Sequence, residues 1–289
     1  MNADGHLISI VTPCLNRRQF IEEAIQSVVR QDYPDVEHII VDGGSTDGTL
    51  EVLRRYPHLR VISERDRSLF DALNKGIGLA RGEILGHLNS DDFYRENVFA
   101  QVARRFAADP HIDVVYGEAT VFEQRADGTR RTVAHYSAPR DIEMSFYNIT
   151  IGVPIINARF FRRRVYEQVG LYDMHYRIAA DRDFLLRVAL AGARSESLGC
   201  LVYHYRQHHG SLSISGQGVQ RRKMLSEHLK IAERYLQADG VSSQARHYCR
   251  LWHAREAMVG ILLALRQMRF GEAVRYGRRV WRYDTTVAA

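Results

Sequence analysis

Apolar runs and helical stripes alternate through the first hundred residues. Ile8-Ser9-Ile10-Val11-Thr12-Pro13 is a β-rich run closed by proline, and Phe20, Ile21, Ala24, Ile25, Val28 and Val29 follow at the spacing of one helix face. A second run, Glu37 to Asp42, passes through Gly43-Gly44-Ser45-Thr46-Asp47-Gly48 into a helix over about 49–55. A third, 59–63, precedes a helix over about 70–80, and a fourth, Glu83 to Leu88, ends in Asn89-Ser90-Asp91-Asp92. Strand and helix alternating at this spacing predict a parallel sheet with right-handed crossovers.

Beyond Asp92 the rhythm changes. Val98, Phe99, Val102, Ala103 and Phe106 predict a helix, 112–117 a strand, and Arg125-Ala126-Asp127-Gly128-Thr129-Arg130 a hairpin turn, so antiparallel strands join the sheet edge. Residues 137–157 carry no clean period. Phe184, Leu185, Val188 and Ala189 mark a helix whose front bears Asp181 and Asp183. From about Gly218 the pattern is wholly helical, with breaks near 238–240 and 270–271. The chain therefore divides into an α/β domain, 1–217, and a helical C-terminal extension, 218–289.

Composition sharpens this picture. A hydrophobic content of 45% and a charged content of 26% fit a soluble globular protein, and 289 residues bury a sizeable core without staples. Cys14, Cys200 and Cys249 form neither a metal nor a disulfide pattern, which makes a reducing cytoplasm the default. The N-terminus lacks a signal pattern, and the apolar run 258–265 is too short to cross a bilayer. The net charge of +6 is uneven, because residues 219–289 hold 14 Lys/Arg against 6 Asp/Glu. That asymmetry suits an anionic partner, although a solvated Arg-rich helix face accounts for it equally well.

Carboxylates recur where strands end: Asp42, then Asp66 after a short gap, then Asp91 and Asp92. Parallel strands bring their carboxyl ends to one rim, where ligands of open α/β sheets bind. Two adjacent carboxylates are costly to bury without a cation, and oxygen ligands favour Mg²⁺ or Mn²⁺ arriving with a substrate's phosphates. Turn chemistry explains Asn-Ser-Asp just as readily. No dinucleotide fingerprint, P-loop or G-x-S-x-G elbow is present. Asp71, Asn74 and Lys75 share a helix face, as a surface ion pair or as ligand contacts. Asp181 and Asp183 suit the positive end of a helix, and either also suits a general base. Arg206, His208 and His209 cluster in a probable loop that suits a metal or a diphosphate.

Thr12-Pro13-Cys14-Leu15-Asn16, Val41 to Thr49, Asp71 to Gly76 and Leu88-Asn89-Ser90-Asp91-Asp92, in that order, resemble the glycosyltransferase family 2 domain of bacterial polysaccharide transferases over about residues 7–213. The resemblance implies the GT-A fold, a Rossmann-like mixed, mainly parallel sheet flanked by helices. It also implies an inverting transferase with a nucleotide-diphosphate sugar donor (UDP, GDP or dTDP) and Mg²⁺ or Mn²⁺. By it, Thr12 and Asp42 hold the nucleotide base, Pro13 shapes the turn, and Asn16, Gly43, Asp66, Asn74, Lys75, Asn89, Ser90 and Arg206 line the donor. Asn89-Ser90-Asp91 takes the place of the family's D-x-D, with Asn for its first Asp. Metal ligands would be Asp91, Asp92 and His208, and His208 with Ser211 matches a late H-x-x-S segment. Asp181 would be the catalytic base, with Asp183 as the alternative because Ala180 replaces the acid of the family's E-D pair.

The resemblance also implies a saccharide or lipid-linked acceptor. The basic helices then suggest peripheral contact with the inner face of the plasma membrane rather than nucleic acid, and a homo-oligomer is compatible with these readings. Competing readings are a nucleotide-sugar binding protein without turnover, favoured by Asn89 and Ala180, and a nucleotidyltransferase.

Overall fold

The computed structural model describes residues 6–31, 33–125, 127–208 and 219–284. The first half alternates as the pattern predicts: β1 (Ile8–Cys14), α1 (Ile21–Val29), β2 (Val36–Asp42), α2 (Thr49–Leu53), β3 (Arg60–Ser63), α3 (Leu69–Leu79) and β4 (Ile84–His87). There follow β5 (Phe93–Tyr94), α4 (Phe99–Ala108), β6 (Val114–Gln124), β7 (Arg130–Tyr136), α5 (Pro139–Ile142), α6 (Phe146–Thr150) and a 3₁₀ turn at Ile156–Ala158. The chain continues through β8 (Arg159–Arg162), α7 (Arg163–Val169), α8 (Ala180–Leu190) and β9 (Ser195–Gln207) to α9 (Val219–Gln237), α10 (Ser243–Arg266) and α11 (Phe270–Asp284).

One mixed sheet runs β3-β2-β1-β4-β8-β6-β9-β5, with β7 also paired to β6. Its first four strands are mutually parallel. Then β8 enters antiparallel between β4 and β6, β9 runs parallel to β6, and β5 and β7 pair antiparallel with β9 and β6. The expected hairpin is the β6–β7 pair, with β6 seven residues longer at its end than the predicted strand, which stopped at Gly117.

Successive strand residues point to opposite faces, and the two cores show it. Val11, Ile39, Val41, Leu85 and Phe161 enter one core with α3 and α8, whereas Ile10, Ile40, Ile84 and Phe160 enter the other with α1 and α4. Gly76 lets α3 lie against β1, since a Cβ there would sit 2.3 Å from Val11 Cγ1. His87 closes β4 in the first core, 1% exposed, between the hydroxyls of Tyr166 (3.1 Å) and Tyr172 (3.2 Å). Burial pulls its pKa down to about 3, so it is neutral at pH 7.

The C-terminal extension is not a separate packing unit. Ile231, Ala232 and Tyr235 of α9 and Cys249 and Trp252 of α10 are buried in the same core as Phe184 and Leu185 of α8. Across the division at residue 217, α8, α9 and α10 share one core, while Leu225, Leu229 and Ala257 form a smaller cluster among the late helices. The second helix break falls at 267–269, just ahead of the predicted 270–271. Residues 137–157 form two short helices and a 3₁₀ turn, pieces too brief to carry a readable period.

Candidate active site

The register of β1, β2 and β3 sets Cys14, Asp42 and Ser63 level at the carboxyl rim. Asp42, fully buried, organises the turn behind it. Its Oδ2 accepts from the Gly44 N–H (3.1 Å), the Ser45 N–H (3.0 Å) and the Ser63 hydroxyl (2.7 Å), and its Oδ1 from the Ser45 hydroxyl. Asn16, in the left-handed region at φ 53°, staples the β1 loop to that turn. Its N–H donates to Ser45 Oγ (2.8 Å), and its Oδ1 accepts from the Thr46 N–H (2.9 Å). Thr12, buried beside Pro13, meets His38 Nε2 at 2.9 Å.

Gly43 leaves room for Asp66, whose Oδ2 would lie 3.2 Å from an added Cβ. Desolvation raises the Asp66 carboxyl while Lys75, 2.7 Å away, opposes the rise. Lys75 also pairs with Glu64 at 2.7 Å, so it ties the β3 exit to α3. Asn74 is committed elsewhere. Its amide bonds both backbone groups of Tyr172, Nδ2 to O at 2.9 Å and N to Oδ1 at 3.0 Å, and the Tyr172 ring packs on Phe184 of α8 at 4.9 Å. Asn74, expected as a donor contact, bonds the loop ahead of α8 through Tyr172.

Asp91 and Asp92 part company. Asp91 Oδ2 lies 2.8 Å from His208 Nε2 and 3.6 Å from Arg17 Nε, partly open at 15% side-chain exposure. Asp92 is 1% exposed and takes the Arg206 N–H on Oδ1 (2.7 Å) and the Tyr203 hydroxyl (2.7 Å) and Asn89 Nδ2 (2.9 Å) on Oδ2. Burial first, then the Asp91 charge, push its carboxyl well above the usual range. Its oxygens are engaged inside the fold, which leaves Asp91 the more open of the two expected metal ligands.

Asn89 serves that buried bond, and Ser90, 5% exposed, lies beside the Cys14 thiol. Arg206 is engaged likewise. Its side chain is 3% exposed, ion-paired with Glu23, bonded to Gln124 and to the Asp91 carbonyl (2.9 Å), and lies over Phe20 and Phe122. Ser211 lies outside the described residues.

The second acidic pair divides in the same way. Asp183 is fully buried, with its carboxylate bonded to Arg187 Nε (2.9 Å) and the Tyr235 hydroxyl (3.0 Å) and 3.5 Å from Arg234. It is held in the core by three partners, whereas a base must come within hydrogen-bond reach of its acceptor. Asp181, in the first turn of α8, is partly open, and its Oδ1 accepts only the neighbouring Arg182 N–H (2.8 Å) among the hydrogen bonds of the described residues. Desolvation raises its pKa, with the Arg182 charge opposing.

Arg17, which brings a guanidinium to Asp91, and Tyr203, which holds Asp92, were missed by sequence reasoning. The basic Arg17-Arg18 pair directly after the first strand is a signal that points to the rim, whereas a tyrosine inside a strand carries none.

The family model for Glycosyl transferase family 2 matches residues 9–170. The chain is 33% identical over 187 residues to a PGL/p-HBAD biosynthesis glycosyltransferase of Mycobacterium tuberculosis, covering 63% of this chain and 69% of that one. It is 26% identical over 241 residues to a hyaluronan synthase of Pasteurella multocida, covering 82% of this chain and 24% of that one. Among solved structures, S. aureus TarS 1-349 in complex with UDP-GlcNAc superposes with a TM-score of 0.69 at 19% identity, over 96% of this chain and 81% of that one. The mannosyltransferase PcManGT from Pyrobaculum calidifontis, in complex with GDP-Man and Mn²⁺, gives 0.60 at 19% identity, over 96% of this chain and 87% of that one. These two likenesses show the fold.

The two acids of α8 are expected to separate by substitution. Asp183→Asn removes the buried charge that Arg187 and Arg234 meet and should cost about 3–5 kcal/mol in urea unfolding, whereas Asp181→Asn should leave the unfolding free energy within about 1 kcal/mol. Equal losses would contradict the division.

Proposed function

The chain belongs to glycosyl transferase family 2, and from that premise we propose that it moves a sugar, with inversion, from a nucleotide-diphosphate donor to a saccharide or lipid-linked hydroxyl. The observation that carries this reading is the openness of Asp181 at the front of α8 beside the sealed Asp183. Thr12, Asn16, Asp42 and Gly43 frame the nucleoside face, with Asp66 and Lys75 at its side. Arg17 supplies positive charge for the diphosphate beside Asp91.

For a divalent cation the donor set is one carboxylate and one imidazole, Asp91 and His208. No group of three His, Cys, Asp or Glu among the described residues forms a cage. That set fits Mg²⁺ or Mn²⁺ arriving on the donor's phosphates, since such ions are commonly held by one or two protein carboxylates plus substrate phosphates. When bound, the ion would offset charge growing on the departing diphosphate. Asp181 takes the acceptor's proton as its oxygen attacks the anomeric carbon, and its raised proton affinity matches that task.

The tail supports peripheral binding to the anionic cytoplasmic face of a membrane. Leu262, Leu265, Met268, Phe270, Val274 and Trp281 are exposed on α10, α11 and their connection, among Arg266, Arg269, Arg278 and Arg282. No helix of the described residues is long and apolar enough to cross a bilayer. Apolar side chains flanked by arginines suit the interface of an anionic bilayer.

Two outcomes are expected. In an assay of UDP, GDP or dTDP release from a panel of nucleotide sugars with saccharide and lipid-linked acceptors, Asp181→Asn should lower kcat by about 10²–10⁴-fold. The donor KM should stay within a few fold, and wild-type kcat/KM should rise with pH through a limb above the ordinary aspartate range, because the base acts deprotonated. Wild-type turnover by Asp181→Asn would contradict the mechanism. The full chain should sediment with phosphatidylglycerol vesicles but not with phosphatidylcholine ones, and Phe270→Ser with Trp281→Ser should abolish this; equal sedimentation with both lipids would contradict the surface.

A further inference from the structure

The loop that presents Asp181 is held from outside its own helix. Ala179, at the N-cap of α8, has no side chain to satisfy the helix's first N–H groups. An acceptor from α9 instead holds the loop just ahead of the helix. Glu227 Oε1 takes the Arg177 N–H (3.0 Å), and Oε2 takes the Ile178 N–H (2.8 Å) and the Ala179 N–H (3.0 Å). One carboxylate thus fixes three consecutive amides ending two residues before Asp181.

Helices α8 and α10 together hold the chain at 149–152. Arg182 of α8 donates to the carbonyls of Ile149 (2.5 Å), Thr150 (3.1 Å) and Gly152 (3.1 Å), with its guanidinium 5.5 Å from the Trp252 ring of α10. Arg255 of α10 donates to Ile151 (2.5 Å) and Thr150 (3.3 Å) and is itself held by Glu256 at 2.7 Å. The charged and titratable groups acting on Asp181 are Arg182 from its own helix, Arg159 from β8, Tyr172 from the preceding loop and Glu227 from α9.

Resting on the reading of Asp181 as the base, we propose that Glu227 is the positioning residue for it, and that α9 and α10 serve as the frame that aims the base at the acceptor. A carboxylate caps three amides at once and accepts from all of them; an amide side chain presents an N–H₂ to at least one. Its negative charge also lies near enough to favour the protonated form of Asp181. A bracket of this kind acts on orientation, to which catalysis is sensitive on the scale of an ångström. The donor's face on β1, β2 and β4 is built without it.

The test uses the full chain and the donor–acceptor pair turned over in the panel above, with hydrogen exchange at the amides of 177–179 as a second readout that needs no substrate. Glu227→Ala should speed that exchange, lower kcat about 10–100-fold, leave the donor KM within about twofold and move the acid limb of kcat/KM to lower pH. Glu227→Gln, which keeps the volume, should show the same shift of the limb with a smaller loss of kcat, and it stands in if the alanine variant does not fold. Wild-type kcat and an unmoved limb in a folded variant overturn the proposal, as does a donor KM that rises by as much as kcat falls. Asp181→Asn separates the two layers: if it is inactive while Glu227→Ala behaves as wild type, only the positioning role fails, and if it keeps full turnover, the base assignment and the proposal fail together.

Discussion

The arrangement of the rim depends on one buried carboxylate. Asp92 gathers a backbone N–H of β9, the hydroxyl of Tyr203 and the amide of Asn89, and so ties the turn after β4 to the last strand of the sheet. A carboxylate sealed from water is stable only when its lone pairs are met, which makes this bonding set demanding of geometry. Its consequence lies one residue away. With Asp92 turned inward, Asp91 faces the rim, and β9 leaves the sheet so that His208 meets it at 2.8 Å. The Asn89 side chain, where an acid is usual, has a reason within this scheme: a second carboxylate beside Asp92 would repel it, whereas the amide donates to it.

The same logic recurs at the start of α8. Asp181 and Asp183 sit two residues apart and differ in every physical respect that matters for proton transfer. Asp183 faces Arg187, Arg234 and Tyr235 and holds α8 to α9. Asp181 is only partly buried and accepts the Arg182 N–H, and desolvation raises its proton affinity. In each pair the inner carboxylate is a structural tie and the outer one is the less enclosed. The ties run to β9 in one case and to α9 in the other, so elements late in the chain set the geometry of motifs that come earlier.

Much of this was legible in the sequence. The strand–helix alternation through His87 followed from period-2 and period-3.6 patterns, and acids at strand ends pointed to the rim that Asp42, Asp66 and Asp91 occupy. What the pattern could not convey is which member of an adjacent polar pair turns inward. Asp91 and Asp92, or Asn74 and Lys75, have equal claims in one dimension. Their roles are decided by partners more than a hundred residues away for Asp92 and nearly a hundred for Asn74. Arg206 shows the same limit, since an arginine near histidines reads as an anion contact and the pattern gives no sign of the bonds to Glu23 and Gln124. The extension looked like an appendage because its helices are rich in arginine, yet Ile231, Tyr235 and Trp252 complete the core against α8.

The central claim is that Asp92 presents Asp91 and His208 as the corner where the donor's diphosphate and its cation are received. Anomalous scattering from Mn²⁺ in crystals grown with a nucleoside diphosphate tests it most directly. A manganese peak within coordination distance of Asp91 and His208, with Asp92 still buried against Tyr203, is the predicted result. A peak coordinated by Asp92, or one bound elsewhere with Asp91 and His208 untouched, would contradict the account.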